Sequence, residues 1–236
     1  MIFQKPLVKG LLLKRYKRFL ADIKLDDGTL ITAHCPNSGA MQGLTEPETP
    51  VWVSKSLNPS RKLPYTWEMA EVAGTFVGMN TFHPNHLVEE AIINGTLQEL
   101  QDYQTLKREV AYGNKSRIDI LLHNEGGSLT YVEVKNVHLK RGEKAAFPSS
   151  VTTRGAKHMR ELAEMVQQGH RAYIIYVIQR NDCQGFEIAK DIDPTYNLET
   201  MTALKKGVVP LVYACEVTPK AITISHRINF YPLDNG

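Results

Sequence analysis

Up to about residue 80, short apolar runs alternate with polar turns, and the period is that of strands. Gly10 to Phe19 reads as one strand. Leu20 to Leu25 and Thr29 to His34 read as a hairpin turning at Asp26-Asp27-Gly28, and Pro36-Asn37-Ser38-Gly39 marks another turn. Val51 to Lys55 and Glu68 to Ala73 are further short strands, with no helical stripe among them. Short strands joined by polar turns predict a small closed barrel, and a five-stranded barrel of the oligonucleotide-binding (OB) sort is expected over residues 1–80.

The pattern changes near Asn80. Pro84 and Asn85 can open a helix that carries Leu87, Val88, Ala91 and Ile92 at helical spacing. Three strands are predicted next, Leu106 to Tyr112, Arg117 to His123 and Leu129 to Val134. Thr153 to Gln168 is amphipathic, with Met159, Leu162, Ala163 and Val166 on one side and Gly169 as its stop. Arg171 to Gln179 is a near-continuous apolar run, as in a strand buried on both faces. Tyr196 to Lys206 reads as a helix and Val208 to Cys215 as a strand. Residues 81–236 are therefore expected to form an α/β domain, making the chain α+β overall.

This periodicity bears on chemistry. Asp119 lies in Arg117-Ile118-Asp119-Ile120-Leu121-Leu122, and Glu133 and Lys135 lie in Tyr131-Val132-Glu133-Val134-Lys135. The polar link from His123 to Ser128 makes the two strands an antiparallel hairpin, which brings Asp119 and Glu133 side by side. Residues two apart on a strand share a face, so Glu133 and Lys135 point the same way. Two carboxylates and an ammonium on one face are costly unless something uses them. Hard oxygen ligands suit Mg²⁺ or Mn²⁺, and such an ion serves phosphodiester chemistry. Asp119, Glu133 and Lys135 are the expected catalytic residues. For a third metal-holding acid, Glu89 and Glu90 flank the apolar stripe of the first helix alike. Glu90 is preferred, and Glu109 ranks behind both.

Composition adds a partner class. Apolar residues make up 42% of the chain and charged residues 22%, ordinary for a globular protein, and the net charge is only +3. The distribution of charge is more telling. Met1 to Ala21 holds Lys5, Lys9, Lys14, Arg15, Lys17 and Arg18 with no acid. From Lys135 to Arg160 run Lys140, Arg141, Lys144, Arg154, Lys157 and Arg160, with Glu143 the only interior acid. Basic runs beside a would-be catalytic centre fit a phosphate backbone. Lys14, Arg15, Lys17, Arg18, Arg61, Lys62, Lys140, Arg141, Arg154 and Lys157 are the expected nucleic-acid contacts. The polar loop before Arg154 can cradle a phosphate or simply cap the helix. Cys35, Cys183 and Cys215 lack metal-ligand spacing and fit a reducing cytoplasm. No stretch is long and apolar enough to span a bilayer.

Five segments together resemble the sugar fermentation stimulation protein A family. They are His34-Cys35-Pro36-Asn37-Ser38-Gly39, Arg61-Lys62-Leu63-Pro64-Tyr65-Thr66-Trp67-Glu68, Arg117-Ile118-Asp119, Tyr131-Val132-Glu133-Val134-Lys135-Asn136, and Phe147-Pro148-Ser149-Ser150-Val151-Thr152-Thr153-Arg154-Gly155. The resemblance implies an OB-type barrel followed by a domain of the PD-(D/E)xK nuclease fold. It also implies non-specific DNA binding in bacteria and a regulatory link to sugar (maltose) metabolism. Carried onto this chain, the nuclease motif puts its first acid on Asp119, its second on Glu133 and its lysine on Lys135. The motif's Pro-Asp pair is Ile118-Asp119 here, and the missing Pro would supply no metal ligand. Membership implies binding rather than cleavage, so fold likeness alone supplies no activity.

Overall fold

In the computed structural model, which describes residues 1–232, the chain begins with β1 (Val8–Tyr16), β2 (Leu20–Leu25), β3 (Leu30–His34), β4 (Pro50–Lys55), β5 (Tyr65–Val72) and β6 (Thr75–Gly78). They pair in the order β3-β2-β1-β4-β5-β6, and a parallel β3–β5 contact at Ala33–Tyr65 and His34–Thr66 closes the first five into a barrel. Closure requires β1 to bend. Its pairing with β2 shifts register between Leu12 and Lys14. At Gly10 the strands approach so closely that a Cβ would lie 2.6 Å from the Lys24 carbonyl oxygen. Leu12, Ile23, Val51, Val53 and Trp67 fill the interior and exclude solvent completely. The Trp67 indole N–H is met by the Met69 carbonyl at 3.0 Å. The β1–β2 turn places two non-glycine residues, Lys17 (φ 49°) and Arg18 (φ 62°), in the left-handed region.

The second unit starts with α1 (His83–Ile93), followed by β7 (Thr105–Tyr112), β8 (Ser116–His123) and β9 (Leu129–Val137). Next come β10 (Leu139–Arg141), β11 (Lys144–Phe147), α2 (Thr153–Gln167), β12 (Arg171–Ile178) and β13 (Gly185–Ile188). The chain continues through α3 (Pro194–Lys205), β14 (Val209–Val217), β15 (Ile222–Arg227) and β16 (Asn229–Phe230). The main sheet runs β15-β14-β12-β9-β8-β7. Its three central strands are parallel to one another, and antiparallel strands lie on either side. Leu87, Val88, Ala91 and Ile92 of α1 pack on one face, and Met159, Leu162 and Ala163 of α2 on the other. Both later helices start at a side-chain cap. Thr152 accepts from the Gly155 N–H at 3.1 Å, and Asp193 accepts from the Tyr196 N–H at 2.9 Å.

Polar contacts join the two units. The Gly78 N–H donates to the Gln179 carbonyl at 2.8 Å, where a Cβ on Gly78 would meet the Gln179 side chain at 2.5 Å. The Gln179 amide then donates to Asn136 at 2.7 Å and to the Asn80 carbonyl at 3.2 Å. The first residues of the chain lie on the second unit, through an Ile2–Ala221 bridge. Periodicity does not predict strands β6, β10, β11, β13, β15 and β16. Most are too short to show an alternation. Among the described residues no helix is long and apolar enough to cross a membrane.

Candidate metal and phosphodiester site

The centre of the site is a defect in a ladder. Strands β8 and β9 pair from His123–Leu129 up to Ile120–Val132 and stop there. The next two residues across the gap are Asp119 and Glu133. On the other side, β7 and β8 pair at Arg108–Ile120 and Val110–Ile118 but not at Glu109–Asp119, and Glu109 has φ 52°. The ladder is therefore released on both sides of Asp119. The Asp119 carboxylate takes over part of the missing pairing by accepting the Val134 N–H at 2.7 Å, and the Arg117 guanidinium caps the Glu109 carbonyl at 2.7 Å. Asp119 is thereby pinned at the level of Glu133 by main-chain geometry.

Glu133 is 2% exposed. Its Oε1 accepts from Lys135 Nζ at 2.5 Å and from His158 Nδ1 of α2. Its Oε2 is buried with no hydrogen-bond partner. Burial raises the pKa of Glu133, but the Lys135 ammonium and then the His158 contact outweigh it and hold the carboxyl below its usual range. Asp119 goes the other way. Burial, then the neighbouring Glu133 charge, push it up to about 6, against the opposing pull of the Val134 N–H, Lys135 and Asn85. The two carboxylates thus sense each other's charge.

Asn85, in the first turn of α1, donates to Asp119 Oδ1 at 2.9 Å, and the same amide nitrogen lies 3.4 Å from Glu109 Oε1. Glu161, one turn after His158, is buried. Its Oε1 accepts the Asn114 N–H at 3.0 Å, and its Oε2 has no partner. The Tyr112 hydroxyl is buried and unpaired as well. Its acidity is suppressed by burial and by the charges of Glu133, Glu161 and Asp119. The sequence does not single out Asn85, Tyr112, His158 or Glu161 as site residues. The available signal is weak: His158 and Glu161 are polar residues that interrupt the buried stripe of α2.

The expected site residues divide cleanly. Asp119, Glu133 and Lys135 come together. Glu90 does not join them: it lies on an exposed part of α1 and its carboxylate pairs with the amino group of Met1. Glu89 is engaged by Arg108 at 3.1 Å. The position on α1 that faces Asp119 carries the amide of Asn85. Among the described residues no group of three His, Cys, Asp or Glu side chains is arranged to hold a metal ion. Two carboxylates, one with a buried oxygen lacking any partner, still fit a hard divalent cation that keeps part of its shell as water.

The basic residues divide too. Arg15 is half-buried and spends one nitrogen on the carbonyls of Arg18, Asn37 and Gly39, at 3.0, 2.8 and 3.0 Å, bracing the turn loops. Lys140 pairs with Asp182 at 2.8 Å, and Arg141 makes a two-pronged pair with Asp191 at 2.7 and 2.9 Å. Lys14 reaches Asp22 at 3.4 Å. Lys157 binds the Asn114 carbonyl, and Arg154 donates to His158 at 3.3 Å. Lys17, Arg18, Arg61 and Lys62 are exposed, and none of them forms an ion pair among the described residues. Loop Asn37–Gly39 of the barrel approaches Ser149, just before α2. The basic β1–β2 turn and the start of α2 thus border the same seam.

Comparison with known proteins agrees with this division of the chain. The "SfsA N-terminal OB domain" family matches residues 13–79, and the "Sugar fermentation stimulation protein RE domain" family matches residues 82–221. A sugar fermentation stimulation protein homolog of Rhodospirillum centenum is 54% identical over 97% of this chain and 98% of its own. One from Geobacter metallireducens is 52% identical over 94% and 96%. The structure of Pyrococcus furiosus SfsA in complex with Ca²⁺ shares the fold, at a TM-score of 0.88 and 24% identity over 98% of both chains. The chain belongs to the sugar fermentation stimulation protein family.

Proposed function

We propose that this protein binds DNA and hydrolyses its phosphodiester bonds at Asp119, Glu133 and Lys135, with Mg²⁺ or Mn²⁺ as cofactor. One observation carries the reading. A buried, ionised Glu133 keeps Oε2 free of every protein donor while Asp119 is fixed beside it by a break in the sheet. A divalent cation bound there would polarise a phosphate oxygen and lower the pKa of a bound water. Asp119 and Glu133 would hold it, and the Ca²⁺ complex of the Pyrococcus relative supports divalent binding at this fold. Lys135, while one N–H stays on Glu133, would turn another toward a non-bridging phosphate oxygen or the attacking water, as a point charge with three donors.

The test is purified protein with Mg²⁺ or Mn²⁺ on supercoiled, linear duplex and single-stranded DNA. Cleavage is expected, falling at least ~10²–10³-fold in Asp119→Ala and Glu133→Ala. No cleavage on any form, or cleavage undiminished in both variants, removes the reading. A second reading is a binding-only regulator of sugar (maltose) metabolism, and the presence of an amide at Asn85 rather than a third carboxylate favours it. In that case the same variants bind DNA as well as or better than wild type and nothing is cleaved.

DNA binding itself is sequence-independent in this proposal and falls on the unpaired cations. Each cation removed from the phosphate backbone should lower the slope of log K against log salt by ~0.9 on duplex DNA. Arg61→Ala with Lys62→Ala is therefore expected to reduce the slope by about 2. Lys140→Ala with Arg141→Ala, whose charges are already answered by Asp182 and Asp191, should change it far less. Fluorescence anisotropy across a salt series reads both, and equal slopes for the two double variants would contradict the assignment.

A further inference from the structure

We infer that His158 is a positioning residue for Glu133, with Arg154 fixing its tautomer, so that Glu133 presents Oε2 and not Oε1 to the cation. The inference rests on the cation reading above.

The hydrogen-bond chain has only one sense. A guanidinium has no lone pair to offer, so the Arg154 Nε–H must donate to His158 Nε2, at 3.3 Å. A ring nitrogen that accepts carries no proton. In the neutral imidazole the proton therefore sits on Nδ1, the atom that faces Glu133 Oε1. His158 is a donor to the carboxylate, and Arg154 donates to the far side of the ring. His158 is 4% exposed, so bulk water does not compete for this contact.

The effect on Glu133 is selective. Oε1 receives two donors, Lys135 and His158, from opposite elements, β9 and α2. Oε2 receives none although it is buried. Leaving a charged oxygen buried and unpaired is expensive, and the cheap alternative, rotating the carboxylate to share the donors, is blocked while both stay on Oε1. The pair thus acts as a clamp that sets which oxygen is available. Outer partners that orient a ligand in this way commonly govern metal affinity by ~10–100-fold. Arg154 reaches the ring from the exposed first turn of α2, so the clamp is set from the surface that borders the basic seam.

The experiment measures Mn²⁺ binding to the full chain by electron paramagnetic resonance of the free ion, in wild type, His158→Leu and His158→Asn. DNA affinity in chelator and thermal unfolding are followed in parallel. The Asn amide can place an N–H near the position of Nδ1, and Leu cannot. His158→Leu is expected to weaken Mn²⁺ binding ~10–100-fold with DNA affinity in chelator unchanged. His158→Asn is expected to restore most of it. If His158→Leu does not fold, His158→Gln takes its place, since its longer amide reaches toward the Nε2 position. Mn²⁺ binding in His158→Leu equal to wild type overturns the inference alone, and so does an Asn variant as weak as Leu or Gln. Absence of Mn²⁺ binding in wild type removes the cation reading and this inference with it.

Discussion

Lys135→Met is expected to destabilise the metal-free protein by about 3–5 kcal/mol at neutral pH, the usual cost of stranding one half of a buried ion pair. Lys135 is 13% exposed and Glu133 3% at the side chain, so solvent cannot replace the ammonium. The pH dependence has a definite sign. In wild type the Glu133 carboxyl is held below its usual range, so its contribution is present above about pH 4.5 and fades as pH falls through the lowered value. Removing Lys135 leaves burial opposed by the His158 contact alone, so the carboxyl rises from its wild-type position. The folded variant then holds a proton more readily than folded wild type does, and the difference between them grows as pH rises. The gap between wild type and variant should therefore be smaller near pH 4 than near pH 7. Denaturant unfolding in chelator at those two pH values checks this. A gap that is flat with pH would show that Glu133 is not the charge left stranded.

Glu68→Ala is expected to be comparably damaging, although it lies in the barrel and outside the carboxylate site. Glu68 is buried on β5. Its Oε1 accepts from Ser54 at 2.5 Å, and its Oε2 from Asn80 at 2.9 Å and from His83 Nε2 at 2.8 Å. These partners belong to β4, the interdomain link and the start of α1, so one carboxylate ties the barrel to the helix that carries Asn85. Burial raises its pKa, but the His83, Ser54 and Asn80 contacts together leave it below the usual value. Truncation leaves three donors facing a void, at a cost of about 3–5 kcal/mol. A fall in melting temperature of roughly 10 °C follows for a chain of this size. The difference should shrink as pH falls through the lowered Glu68 value, where wild type also loses the ionised form. Because α1 is anchored there, cleavage should drop as well, while the salt slope of DNA binding stays unchanged. A melting temperature within roughly a degree of wild type would contradict the latch, since a loss of even 1 kcal/mol should shift it by about 2–4 °C.

Much of the fold is legible in the amino-acid pattern. Period-two alternation and turn signals place β2 and β3 to within a residue or so, because the barrel wall there has a wet and a dry face, and a short apolar run places β4, which is buried on both faces. The apolar run at Arg171 to Gln179 identifies β12, because a strand covered by helices on both sides has no polar face to show. Thr153 to Gln168 gives α2 almost entire, since its cap and its stripe are both local features. Strands β10, β11, β13 and β16 leave no trace. They have two to four residues each; β11, β13 and β16 draw their register from one another across long separations, and β10 pairs only with its neighbour β11.

The candidate site shows the same boundary. Asp119, Glu133 and Lys135 are determined by sequence alone, because strand period and a tight connection suffice to bring neighbouring strands' residues together. Only the tertiary structure decides the rest. Asn85 meets Asp119 across 34 residues and His158 meets Glu133 across 25, and no periodicity spans such intervals. Glu90 looks equivalent to Glu89 on the helical wheel, yet it is the chain's own amino group, 89 residues away, that comes to rest on it. Lys140 and Arg141 look like free cations along the chain, but Asp182 and Asp191 arrive from 42 and 50 residues downstream. Local periodicity sets which face a side chain occupies. Which charges are answered and which carboxylate oxygen is left open depend on contacts between distant segments, and those exist only once the sheet, helices and barrel have packed.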